Sequence, residues 1–307
     1  MRPILLLGSM GQLGWELQRS LAPLGNVVAL QRNDTLTDRG CGNLLDPDGL
    51  RETVRRLRPI AVVNAAAYTA VDRAEKEMEV AHAINAVAPG ALAEAAADAG
   101  ALMVHFSTDY VFDGSGQTPW TEEAAPAPLN VYGCSKLEGE QRVRAVGDGH
   151  HLIFRTSWVY AARGGNFATT MLRLARERER MTVIDDQVGA PTGADLIADA
   201  TAHAIRHMLD QSGAGGTYHL TAQGETSWFD YARFVIDTAR ELQPSLALKV
   251  NELTPIPTAQ YPTPARRPLN SRLNTSRVQK TFGLHLPEWQ HGVRRMLAET
   301  FSTTGQP

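Results

Sequence analysis

Apolar residues early in the chain fall in short continuous runs at Ile4–Leu7, Val27–Leu30, 60–63 and 102–106. Unbroken runs of this length suit strands buried on both faces of a parallel sheet, where in–out alternation disappears. Between the runs the spacing becomes helical. One amphipathic helix runs on to Ala22. Another covers 47–57, with Asp46 as N-cap and Pro47 in the first turn. A long helical stretch occupies 71–100, divided at Pro89. The later chain predicts strands at 152–159, 182–184 and 217–220, and helices at 166–180, 195–209, 275–282 and 287–301. A further helix, capped by Ser227, runs to Leu242. Strands alternating with helices predict an α/β fold, a Rossmann-like doubly wound parallel sheet. Residues 1–150 form its main part, and 151–307 mainly a smaller, interleaved C-terminal substrate lobe. Residues 114–130 read as a loop over the site and 255–270 as a Pro-rich segment ordered against it.

Composition narrows the class. The chain has 307 residues, 30 Lys+Arg against 33 Asp+Glu, and a net charge of −3. Without a long basic run, nothing asks for nucleic acid or an anionic membrane. The apolar run at the N-terminus is too short for a membrane span or a signal peptide. Two cysteines, Cys41 and Cys134, form no disulfide framework and suit a reducing cytoplasm. The histidines show no metal-ligand spacing.

Two motifs carry chemistry. The first strand runs directly into Gly8-x-x-Gly11-Gln12-Leu13-Gly14, and a helix follows. Glycines between a strand and a helix let the backbone approach a pyrophosphate at the helix N-terminus. At the end of the second strand stand Gln31 and Arg32, with Asp34 beyond them. An acidic residue there bonds the adenosine ribose of NAD, whereas an Arg accommodates the extra phosphate of NADP. The pair favours NADPH, or use of both NADPH and NADH. The second motif is Tyr132-Gly-Cys-Ser-Lys136. Four residues apart on a helix, Tyr132 and Lys136 share a face. An ammonium beside a phenol lowers its pKa from the usual ~10, and such a phenol can exchange a proton with a substrate oxygen.

The glycine turn, Asn64-Ala65-Ala66-Ala67, Ser107-Thr108-Asp109-Tyr110-Val-Phe112-Asp113-Gly114 and Tyr132-x-x-x-Lys136 together resemble an extended short-chain dehydrogenase/reductase, and more narrowly the dTDP-4-dehydrorhamnose reductase family. The likeness extends through 154–160, 185–193 and 261–273. It implies NAD(P)H-dependent reduction of a C4 keto group on a dTDP-linked deoxysugar, with Tyr132 as general acid. Lys136 would bind the nicotinamide ribose and Thr108 would bond the reacting oxygen. The cofactor would meet Gly8, Gly11, Gln12, Leu13, Gly14, Gln31, Arg32, Asn43, Leu44, Ala65, Ala66, Ala67, Tyr68, Thr69 and Phe106. The sugar nucleotide would meet Val71, Asp109, Trp158 and Arg267, the last as a cation for the diphosphate. The resemblance also implies a homodimer and brings in Mg²⁺ at a dimer contact, with Glu16 and Asp195 as carboxylate candidates.

Two departures from the family pattern bear on the cofactor. Gln31 replaces the usual acidic residue, and Asn43-Leu44 stands where relatives often carry another acid. Tyr110 replaces the Glu that serves dehydratases of this superfamily as an elimination base, which favours simple reduction. Two other readings remain at this point: a reductase of another nucleotide-linked 4-keto deoxysugar, and an NADP-binding regulatory subunit without turnover.

Overall fold

Strand β1 (Ile4–Leu7) is fully buried, and its side chains alternate between two cores. Ile4 and Leu6 join one apolar cluster, while Leu5 and Leu7 join another on the opposite sheet face. A strand covered on both sides reads as a continuous hydrophobic run, as this one does. The computed structural model describes residues 2–304 other than 38, 147, 148 and 212. Accordingly, residues 1, 38, 147, 148, 212 and 305–307 of the two expected stretches lie outside the described residues.

The first half alternates as its pattern predicts. After β1 come α1 (Gln12–Leu21), β2 (Val27–Leu30), α2 (Pro47–Leu57) and β3 (Ala61–Asn64). Next are α3 (Val71–Ala74), α4 (Met78–His82), α5 (Ala88–Asp98), β4 (Leu102–Thr108), α6 (Val131–Ala145) and β5 (His151–Thr156). The Asp46 side chain caps α2 by accepting from the Gly49 N–H at 2.9 Å. The helical stretch 71–100 does not divide at Pro89. It breaks after α3 and again widens into a π turn over Ala83–Val87, and Pro89 lies in the first turn of α5. A wider turn gives the proline ring room beside the carbonyl four residues back.

The second half holds β6 (Val159–Tyr160), α7 (Phe167–Glu177), β7 (Arg180–Ile184), β8 (Val188–Gly189), β9 (Thr192–Gly193) and α8 (Ala194–Asp210). It continues with β10 (Gly216–His219), β11 (Thr226–Ser227), α9 (Trp228–Leu242), β12 (Glu252–Ile256), α10 (Ser276–Phe282) and α11 (Trp289–Thr304). The main sheet has the order β10-β5-β4-β3-β1-β2, with every pairing parallel. Thus β10, from the later chain, completes the sheet, and Ile197 and Ile205 of α8 join the core beside Leu17 and Leu21 of α1. Helices α7, α9 and α11 build a separate apolar cluster around Tyr231, Val235 and Leu297.

Two further expected segments differ. The run 152–159 is not one strand: β5 ends at Thr156, and Trp158 adopts φ +48° before β6. Left-handed backbone at a large aromatic residue is costly and leaves no trace in hydropathy. The Pro-rich segment begins inside a strand, since Pro255 of β12 pairs in parallel with Val183 of β7 in a two-stranded sheet. Such an edge tolerates a residue without an N–H.

Candidate active site

The glycine turn is held against two strand ends. Gly8 has φ +80°, and a Cβ built there would lie 2.7 Å from the Ala66 nitrogen. A Cβ on Gly14 would lie 2.0 Å from the Gly8 carbonyl oxygen, so α1 can start this close to β1 only with glycine at that place. Gly11 caps α1 without any side-chain bond, which leaves first-turn N–H groups for a ligand. The Gln12 amide donates to the Gly165 carbonyl at 2.9 Å, and Leu13 packs into the core. Beside the turn, Ala65, Ala66, Ala67 and Tyr68 leave β3 half-buried, with Thr69 exposed. The Asn85 side chain holds this segment by accepting from Tyr68 N–H at 2.8 Å and donating to Tyr68 O at 3.0 Å.

At the adenosine end, Gln31 and Arg32 are exposed beyond β2. The Asp34 carboxylate is turned inward on its own loop, accepting from Gln31 N–H at 2.9 Å and pairing with Arg39 at 3.5 Å. Asn43 is half-buried and Leu44 buried alongside.

The proton chemistry is assembled where β4 meets α6. Thr108 ends β4, accepts from Tyr110 N–H at 3.1 Å and donates to Asp109 Oδ1 at 3.0 Å. The Thr108 hydroxyl lies near enough to the Tyr132 phenol to favour its ionised form. Asn130 caps α6 by accepting from Gly133 N–H at 2.7 Å. A Cβ on Gly133 would sit 2.2 Å from the Tyr110 carbonyl, so this glycine lets the helix lie against the Thr108–Tyr110 turn. Tyr110 meets Tyr132 edge-on with ring centroids 5.6 Å apart.

The electrostatics differ from the sequence expectation. Desolvation, softened by the neighbouring Thr108 hydroxyl, pushes the Tyr132 phenol up to about 12. The Lys136 amine is engaged with β4. Its ammonium is buried and itself lowered to about 8, and Nζ donates to the Phe106 carbonyl at 2.6 Å. Asp109 is pushed up to about 6 by burial, and its Oδ2 is buried without a hydrogen-bond partner. Behind α6, Glu140 is fully buried. It accepts from Ser107 at 2.6 Å and twice from Arg155, at 2.8 and 2.7 Å. These bonds hold its carboxyl below the usual range against the opposing pull of burial.

A cavity of about 760 Å³ opens from Tyr110 and Asp72 toward the later segments, lined among others by Phe167, Gln187, Trp228 and Arg267. Tyr132 is not in its wall, and Tyr110 joins the two places. At its edge Trp158 stacks on Trp228, centroids 3.5 Å apart and 12° from parallel. A Cβ on Gly189 would lie 2.8 Å from the Trp158 indole. Gln187 accepts from Trp228 Nε1 at 3.1 Å. Arg267 grips both carboxylate oxygens of Asp72, at 2.7 and 3.1 Å, and this lowers the Asp72 carboxyl.

A family model described as the RmlD substrate binding domain matches residues 1–302. This chain belongs to that family. Among relatives of the RmlD family, a dTDP-4-dehydrorhamnose reductase of Escherichia coli K12 is 57% identical over 301 residues, covering 98% of this chain and 99% of the relative. One from Burkholderia thailandensis is 48% identical, covering 94% and 96%. The structure of a Bacillus anthracis dTDP-4-dehydrorhamnose reductase in complex with NADP superposes with a TM-score of 0.87 at 34% identity, covering 97% and 99%. A UDP-glucose 4-epimerase from Brucella ovis, in complex with NAD, matches at TM-score 0.78 and 19% identity, a likeness of fold.

In this RmlD-family chain, Gly8–Gly14, Ala65–Tyr68, Thr108, Asp109 and Tyr132 converge at the carboxyl edge of the parallel sheet, where open α/β sheets take their ligands. Val71 opens α3 beside them. The carboxylate candidates for Mg²⁺ do not converge into a ligand set. Glu16 pairs with Arg19, Asp195 pairs with Arg295, and no group of three ligating side chains occurs among the described residues. Sequence reasoning quoted Asn64 in a motif without a role for it, and gave none to His105, Asp72, Glu140, Arg155 and Trp228. Glu140 was within reach, one helical turn past Lys136 on the same face. His105 was too, as a lone polar residue in an apolar strand.

Proposed function

We propose that the protein reduces the C4 keto group of dTDP-4-dehydro-6-deoxy-L-mannose (dTDP-4-dehydro-L-rhamnose) to give dTDP-L-rhamnose, the last step of dTDP-rhamnose formation, with NADPH or NADH as reductant. The observation that carries this is Tyr132 set beside Thr108 at the carboxyl end of β4, in a chain matching dTDP-4-dehydrorhamnose reductases over 98% of its length. The turn fits a dinucleotide: a side chain at Gly8 or Gly14 would fill the cradle, and the N-terminus of α1 faces it. Gly11, Gln12 and Leu13 hold the pyrophosphate, Ala65 to Thr69 and Phe106 line the nicotinamide half, and Gln31, Arg32, Asn43 and Leu44 meet the adenosine. With Arg32 exposed and Asp34 engaged by its own loop, NADPH is the better fit. When bound, the nicotinamide supplies a hydride.

Tyr132 supplies the proton. A phenol held near 12 keeps its proton at neutral pH and releases it only to a strongly basic oxygen, as the C4 oxygen becomes on reduction. Thr108 orients that oxygen through its hydroxyl. Lys136 reaches the nicotinamide ribose from α6. Asp109, Val71 and Trp158 contact the deoxysugar, and Arg267 exchanges Asp72 for the substrate diphosphate. The enzyme works in the cytoplasm as a homodimer on a soluble sugar nucleotide.

The test is NADPH absorbance with the purified protein and dTDP-4-dehydro-L-rhamnose made in situ. Substrate-dependent loss with dTDP-L-rhamnose as product is expected. A flat trace under demonstrated NADPH binding refutes this substrate, and turnover of a different 4-keto sugar nucleotide would then reassign it.

A further inference from the structure

The corner after β2 is tied to the glycine turn. The Leu30 carbonyl accepts from the Gly8 and Ser9 N–H groups at 3.1 and 3.2 Å, so Gln31 follows directly on the adenosine side of that turn. From there the chain loops out through Asp34 and returns at Gly42, whose N–H donates to the Asp34 carbonyl at 3.2 Å. A Cβ on Gly42 would lie 2.1 Å from the Gln31 carbonyl oxygen, so the returning chain lies close against the end of β2. The loop is also pinned at its far side. Arg56 of α2 donates to the Leu36 carbonyl at 2.6 Å, and Leu36 packs onto the core that holds Leu30 and Val54.

A loop closed in this way brings Arg39 back to the strand end. One oxygen, Asp34 Oδ2, accepts from the Gln31 N–H at 2.9 Å and from Arg39 Nη2 at 3.5 Å. Exposure decides which partner faces a ligand. The Asp34 side chain is 14% exposed and the Arg39 side chain 64%. The carboxylate is turned in and the cation out. Arg32 is exposed on the same corner.

An acid at this place serves NAD by accepting from a ribose hydroxyl, and the same charge repels a phosphate set there. Among the described residues of 31–42, Asp34 is the one acid, and it is already committed to a backbone N–H and to Arg39. Asp46, beyond the loop, is spent on the Gly49 N–H as the cap of α2. What the corner offers outward is therefore two guanidinium groups, whose forked donors match the oxygens of a phosphate monoester.

We infer that Arg39 is a cofactor-specificity residue: with Arg32 it receives the 2′-phosphate of NADPH, while Asp34 serves as its counter-ion and not as the acid for a ribose hydroxyl. Both roles rest on the dinucleotide reading of the glycine turn given above.

The experiment is calorimetric titration of the full-length protein with NADPH and with NADH, which differ only in that phosphate, in the absence of any sugar nucleotide. Wild type is expected to bind NADPH about tenfold or more tightly than NADH, the weight of one charge-assisted hydrogen bond. In R39A the affinity for NADPH should fall by about tenfold with NADH unchanged, and the NADH titration shows that the fold is intact. In R32A/R39A the two cofactors should bind alike. In D34N, where the amide oxygen still accepts from the Gln31 N–H, NADH should bind as in wild type. Equal affinities in wild type overturn the inference. So does an R39A protein that keeps the wild-type preference or weakens both cofactors equally. A loss of NADH affinity in D34N also overturns it and returns Asp34 to the ribose. A wild type that binds neither nucleotide removes the dinucleotide reading along with it. The predicted affinities in a protein that reduces no sugar nucleotide refute the reduction alone and leave Arg39 in its role.

Discussion

Replacing Tyr132 by phenylalanine removes one hydroxyl and leaves the ring that packs edge-on against Tyr110. Tyr132→Phe is expected to lower kcat by ~10²–10⁴-fold, the usual weight of a general acid. NADPH affinity, read by fluorescence titration, should stay as in wild type; wild-type turnover would remove Tyr132 from the acid role. Arg32→Ala should weaken NADPH and leave NADH untouched, since only NADPH offers a 2′-phosphate. Equal losses would place Arg32 away from that phosphate. Asp109 gives a pH signature. Its folded pKa, about 6, stands above the ordinary carboxyl value of 3.8, so the folded state binds more protons between those values. Stability contributed by its protonated form is full below the lower value and is lost as pH rises through the upper one, on the order of 2–3 kcal/mol. Asp109→Asn should abolish that component in urea melts taken at the two ends of the window. Tyr132 and Lys136 stood out by type and spacing, and Thr108 by the family resemblance alone. The environment of Lys136 was not legible. Helical spacing put Lys136 beside Tyr132, whereas its amine is taken up by the Phe106 carbonyl and His105, contacts that come from a strand far away in sequence.

Helix α6 is fixed from beneath by an ion pair more than by hydrophobic packing. Its buried set includes Glu140 and Lys136, and Glu140 meets Arg155 of β5 at 2.7 Å with neither exposed. Removing one partner strands the other charge in a low dielectric. Glu140→Ala should therefore cost ~3–5 kcal/mol in denaturant unfolding. Glu94→Ala, which breaks the exposed pair with Arg51, should cost less than ~1 kcal/mol. Equal costs would mean that the buried pair does not anchor the helix. The strands β1 to β4 were legible because a doubly covered strand must be a continuous apolar run. The end of β5 was not, since the left-handed backbone at Trp158 and the facing Gly189 are set by a contact across loops. Likewise β12 was hidden by its own proline, which only a two-stranded edge tolerates.

The whole molecule is two layers of chain history in one site. The sheet comes mostly from the first half, yet β10 and α8 return from the second to complete it. The Arg267–Asp72 pair crosses between the Pro-rich segment and α3 over the large cavity, only partly exposed. If a diphosphate takes Arg267 from Asp72, Arg267→Ala removes charged hydrogen bonds worth ~1.5–3 kcal/mol. KM for the sugar nucleotide should rise ~10–100-fold with kcat little changed; an unchanged KM would leave Arg267 as a tie between segments. Interleaving of this kind is invisible to local pattern, which sees Arg266-Arg267 only as cations among prolines.

The Trp158–Trp228 stack gives the protein an optical handle. Two indoles 3.5 Å apart and nearly parallel share their excitation, and one of them sits on a left-handed backbone at the edge of the cavity. A sugar nucleotide that reseats Trp158 alters that coupling. Near-ultraviolet circular dichroism then reports occupancy with no cofactor in the cuvette, which separates binding from turnover in variants that cannot reduce anything.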